Sequence, residues 1–269
     1  MIDARLVQAL DELIHSGESG VIHQHACLIG GQAIRDLFRS LVANIGPDVR
    51  PFRASQDLDL LIVLQEEDGA GDALVAHLRE RWRLVPNRPA TYQWLNDPEV
   101  QLDLSTTYQV GETPGRSARI TLRGTGRVLG YGMIPAWLHA MNLIEPCFTP
   151  ELRRIGLERL RHTALLVSKM LAVGACIHAL ATEDPPAWTS RLDRDLVDIL
   201  YLTDRQIRSG LWCAACTTKR QDIEREMAPT IAQVRAAAFR PPEVLDTGTR
   251  DRLQTVADAL GTWWTARPA

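Results

Sequence analysis

The chain has 269 residues, 30 basic against 33 acidic side chains and a formal net charge of −3. Apolar residues make up 45% and charged residues 23%, which excludes a mostly disordered chain, and the near-zero charge excludes a histone-like coat of positive charge. Five cysteines in a chain this long do not make a disulfide framework. The longest apolar stretch, Ala164 to Ala181, carries Lys169 and His178, too polar to be read as a membrane span. The N-terminal stretch has an amphipathic helix pattern without the unbroken apolar core of a secretory signal, so a cytoplasmic protein that does not engage a membrane is expected.

In chain order, a helix is expected over about Leu6 to Ile14 and a short buried strand over Ala26 to Ile29. Gly30-Gly31 breaks that strand, and the apolar spacing from Ala33 to Val42 predicts a helix. A second strand is expected at Leu58 to Leu64, a helix at Ala73 to Trp82 and a third strand at Val100 to Leu104. Arg119 to Leu122 and Arg127 to Leu129 read as a hairpin around Gly124-Thr125-Gly126. After Pro146 and Pro150 the patterns turn helical: Leu152 to Leu180, Leu192 to Leu202, Arg220 to Phe239 with an interruption at Pro229, and Arg250 to Trp264. The expected class is α/β (α+β), with an α/β domain over residues 1–146 and a helical domain over 147–269.

One constellation carries chemistry. On a strand, alternate side chains share a face, so Asp57 and Asp59 point together while Leu58 and Leu60 face the core. Asp103 has the same placement on the third strand, opposite in face to Leu102 and Leu104. If the two strands are neighbours, three carboxylates converge, a donor set suited to divalent cations and to two-metal phosphoryl or nucleotidyl transfer. Gly30-Gly31, between a strand and a helix, suits the approach of a phosphate to backbone N–H groups, and Ser55 could add a hydroxyl.

The order Gly30-Gly31, then Arg53-Ala54-Ser55-Gln56-Asp57-Leu58-Asp59, then Asp103 on a later strand resembles the DNA polymerase β-type nucleotidyltransferase superfamily. The helix around Ser168-Lys169-Met170 and the segment Arg194-Asp195-Leu196-Val197-Asp198 resemble the AbiEii/MenT-type nucleotidyltransferases of bacterial toxin–antitoxin systems. The resemblance implies a palm-like domain with a mixed sheet, then a helical half, using Mg²⁺ (or Mn²⁺) and a nucleoside triphosphate. It implies Asp57, Asp59 and Asp103 as metal ligands, Gly30, Gly31, Arg53, Ser55 and Lys169 at the nucleotide, and Lys169 and Asp195 beside the three acids in catalysis. The acceptor hydroxyl would belong to RNA such as a tRNA 3′ end, or to a protein, and a cognate antitoxin would be a partner. A small-molecule nucleotidyltransferase of the antibiotic-modifying kind and a catalytically idle nucleotide-binding palm domain are the alternatives. The gap from Lys169 to Asp195 is longer than that family pattern and contains Pro185-Pro186.

Further features weigh less. Residues 113–144 contain no acid but include Arg119 and Arg123, which would share a hairpin face and could contact the acceptor. Cys213 and Cys216 read as buried thiols, because a lone pair does not complete a zinc site. Only Lys169 and Lys219 among the basic residues are lysines. Lys169 shares an apolar helix face with Leu165 and Val173, and Asp195 one with Leu192 and Ile199, so each needs an opposite charge. Asp198 is expected to form an exposed pair with Arg194.

Overall fold

A computed structural model describes residues 4–15, 26–45, 57–63, 70–86, 88, 90–109, 119–121, 128–182, 185–204 and 219–265. The chain divides into two compact units, Met1–Arg161 and His162–Ala269.

The first unit is built on a nine-stranded mixed sheet. Helix α1 (Ala4–Ile14) buries Leu6, Leu10, Leu13 and Ile14, the apolar spacing that forms it. Strand β1 (Ala26–Ile29) is buried throughout and leads directly into α2 (Gly30–Ile45). Strand β2 (Asp57–Ile62) runs antiparallel to β1, and α3 (Ala70–Arg81) leads into β3 (Trp82–Leu84) and β4 (Thr91–Trp94). Strand β5 (Gln101–Tyr108) takes β2 as a parallel neighbour on one flank. On the other flank, antiparallel β4 covers its first half and parallel β7 (Val128–Pro135) its second. Strand β6 (Arg119–Thr121) pairs antiparallel with β7, as expected for the hairpin, whose turn lies outside the described residues.

The sheet does not end where the prolines suggested. Helix α4 (Ala136–Ala140) leads to β8 (Ile144–Pro146), α5 (Pro150–Arg154) and β9 (Glu158–Leu160). β9 pairs parallel with β1, and β8 antiparallel with β9. Residues 147–161 therefore belong to the first unit, and the boundary falls at 161/162 rather than 146/147. The single helix expected over Leu152 to Leu180 is broken by Gly156, at φ +75°, a conformation that ends α5 and admits β9. Buried Asp36 of α2 ties this return to the sheet: it accepts from the backbone N–H of Phe148 (2.8 Å) and of Thr149 (2.7 Å) and from Arg159 Nε (2.7 Å). Arg159, also buried, reaches Glu145 at 2.7 Å.

Among the described residues the second unit contains α6 (His162–Thr182), α7 (Pro185–Leu202), α8 (Arg220–Phe239) and α9 (Thr247–Thr265). Helix α7 begins seven residues before the expected Leu192, with Pro185 and Pro186 in its first turn, where a missing N–H costs nothing. Helix α8 passes through Pro229 without interruption, because Ile223, Met227, Ile231 and Val234 form one buried stripe on both sides of it. Among the described residues α6 alone is long and apolar enough to cross a membrane, and 61% of its apolar window is buried inside the protein. Cys27, Cys147 and Cys176 are buried free thiols, whereas Cys213 and Cys216 lie outside the described residues.

Candidate functional site

The carboxylate strands are neighbours at the middle of the sheet. The β2–β5 register sets Asp57 beside Gln101, Leu58 beside Leu102, Asp59 beside Asp103 and Leu60 beside Leu104. Parallel register partners point to the same side, so the four leucines, all almost fully buried, take one face and Asp59 and Asp103 the other. The distance between neighbouring strands, about 4.8 Å, brings the two aspartates into one row. Asp57 lies on that face two positions earlier, and its side chain is outside the described set.

The β1–α2 junction explains Gly30. In the β1–β2 register Ile29 lies opposite Asp59, so the next residue meets the Asp59 side chain. Gly30 has φ +65°, and a Cβ there would lie 2.0 Å from Asp59 Oδ2. Two independent constraints, backbone conformation and close approach, thus disfavour a side chain at 30. The bare backbone accommodates the aspartate, at the N-terminal start of α2 where the helix dipole favours negative charge. Gly31 is buried in the first turn of α2. Arg53 and Ser55, expected at the phosphates, lie outside the described residues.

Strand β4 adds a contact that the sequence reading missed. Thr91 lies opposite Asp103, and its hydroxyl donates to Asp103 Oδ1. In the same hairpin Arg88 Nη1 donates to Gln101 Oε1 at 3.1 Å. The alternation Thr91-Tyr92-Gln93-Trp94, with Tyr92 and Trp94 buried, was the available signal for this strand. Arg119 occupies a row with Tyr131 of β7 and Ser105 of β5; its side chain, and Arg123 altogether, are outside the described set.

Among the described residues no group of three His, Cys, Asp or Glu side chains is placed to hold a metal ion. The described part of the expected trio is Asp59 and Asp103, an oxygen-only pair whose chemistry fits Mg²⁺ or Mn²⁺ rather than a softer metal.

A second constellation lies within the helical unit. Lys169 of α6 approaches Asp195 Oδ1 at 2.7 Å and Asp198 Oδ2 at 2.8 Å, both on α7. Asp195 and Lys169 thus satisfy one another, one of the two arrangements that their apolar helix faces allow. Asp198 differs from expectation: it is fully buried and paired with Lys169, because α7 turns a face wide enough to include 195, 198 and 199 towards α6. Burial pulls the Lys169 ammonium towards its neutral form, but the two carboxylates outweigh this and raise its pKa above the ordinary lysine value. Arg191 lies 3.9 Å from Asp195 and over the Trp188 ring. Comparison of the chain with protein-family models, curated proteins and solved structures finds no match.

Proposed function

We propose that the protein is a metal-dependent nucleotidyltransferase that moves a nucleoside monophosphate from a triphosphate to an acceptor hydroxyl of RNA or of a protein. The observation that supports this most is the registered pairing of Asp59 with Asp103 on adjacent central strands, with Asp57 on the same face and Gly30 closed against Asp59. Asp57, Asp59 and Asp103 would hold Mg²⁺ or Mn²⁺, which supplies charge neutralisation for the phosphates and a more acidic acceptor hydroxyl. Gly30 leaves the space that the Asp59 side chain fills, and Gly31, at the first turn of α2, lies where backbone N–H groups and the helix dipole favour a phosphate. In this reading Asp103 also takes the proton of the acceptor hydroxyl.

Lys169 and Asp195, paired with one another inside the helical unit, serve in this reading as a structural ion pair of that unit. The test is incubation with each labelled triphosphate, Mg²⁺ and total cellular RNA, for the wild type and for Asp59→Asn and Asp103→Asn. Labelled RNA that disappears in both variants is the expected result. Label on a small acceptor only would favour an antibiotic-modifying type of enzyme, and tight nucleotide binding without transfer an idle palm domain. Transfer at near wild-type rate in both variants refutes the assignment.

A further inference from the structure

Every polar atom of Thr91 is hydrogen-bonded, two within the β3–β4 hairpin and one to β5. Its backbone N–H donates to Arg88 O (3.1 Å), its carbonyl accepts from Val85 N–H (2.9 Å), and its hydroxyl donates to Asp103 Oδ1. Thr91 is 5% exposed. The residue before it, Ala90, has φ +67°, a left-handed conformation that costs a non-glycine residue energy. Ala90 is kept there by a hydrogen bond from Leu104 N–H to its carbonyl (3.0 Å), and Leu104 is the residue after Asp103. The strained turn and the hydroxyl contact therefore bracket the same carboxylate, one through the backbone of β5 and one through the side chain. Arg88, anchored on Gln101, keeps the hairpin in register on that face.

We propose that Thr91 is a positioning residue of the carboxylate site: by holding Oδ1 from the β4 side it leaves Asp103 one rotamer relative to Asp59, its register partner on the opposite flank of β5. The proposal rests on the metal-dependent reading of the site. A threonine that served only to join two strands would be replaceable by valine, which has nearly the same shape and is likewise favoured in strands. A residue that orients a metal-binding carboxylate is not replaceable in that way, and loss of such a partner commonly lowers metal affinity 10–100-fold, on the order seen for outer-shell groups.

The experiment measures Mn²⁺ binding by electron paramagnetic resonance, together with kcat and KM for the triphosphate. It compares wild type, Thr91→Val, Thr91→Ser, Thr91→Ala and Asp59→Asn. Thr91→Val and Thr91→Ala are expected to weaken Mn²⁺ binding about tenfold and to lower kcat more than they change KM, while Thr91→Ser stays near wild type. Thr91→Ala adds no branch and serves if the valine variant does not fold. Wild-type Mn²⁺ affinity and kcat in Thr91→Val overturn the proposal, and so does equal impairment in the serine and valine variants, which would show a requirement for shape and not for the donor. Loss of Mn²⁺ binding in Asp59→Asn beside an unaffected Thr91→Val would overturn the role of Thr91 alone. A wild type that binds no Mn²⁺, or an Asp59→Asn variant that binds it fully, would overturn the metal reading and Thr91 with it.

Discussion

Replacing Lys169 by methionine keeps the length and the apolar stem of the side chain but removes the ammonium that lies within 2.8 Å of Asp195 and Asp198. Breaking a buried ion pair from one side costs about 3–5 kcal/mol, because the remaining charge stays desolvated. Arg191, at 3.9 Å, retains part of the compensation at Asp195, and the Asp198 side chain is 0% exposed. For a chain of this size that corresponds to a fall in Tm of roughly 6–20 °C at pH 7. The pH dependence follows from the raised lysine. Its stabilisation is fully present below the unfolded lysine pKa of about 10.4 and is lost only as the pH rises through the higher folded value. The gap between wild type and variant is therefore constant from neutral pH to about pH 10. Thermal and urea unfolding followed by circular dichroism at several pH values measure this. The triple variant Lys169→Met, Asp195→Asn, Asp198→Asn should regain at least half of the loss, because it removes the buried charges together. A Tm for Lys169→Met within about 2 °C of wild type, less than 1 kcal/mol on this scale, would refute the reasoning.

Gly30→Ala is expected to lose about 1–3 kcal/mol from the left-handed backbone alone, and to displace the Asp59 carboxylate that lies where the new Cβ must go. Denaturant unfolding of a double-mutant cycle with Asp59→Ala checks it, since only the steric part is recovered in the double variant; additive effects would refute the close approach. Asp36→Ala leaves the Phe148 and Thr149 amides and Arg159 Nε without their acceptor, at a cost of about 3–5 kcal/mol. Hydrogen exchange should then quicken first in β8, α5 and β9, and uniform exchange across the first unit would speak against Asp36 as the tie.

Elements whose signal is local were legible in the sequence. The alternation at Asp57-Leu58-Asp59 and at Leu102-Asp103-Leu104 is a period of two, and it put the carboxylates on the face away from the leucine core before any pairing was known. The stripes that make α1, α2, α8 and α9 are likewise contained in single segments. What depends on a partner distant in the chain was not legible. β8 and β9 are three residues each and carry no periodicity; pairing of β9 with β1 and of β8 with β9 makes them strands, and it moves the boundary of the first unit past the prolines. The burial of Asp198 is decided by which face α7 turns to α6, and a helix interior by itself does not distinguish this from an exposed pair with Arg194. Gly30 was read as room for a phosphate, whereas tertiary pairing shows the room taken by Asp59. Sequence alone determined that three aspartates share a type of face, because side-chain direction is set within each strand. Only the tertiary structure decided that Asp59 and Asp103 stand in one row with Thr91 against them, because register between strands is set by side chains that meet after the chain has folded.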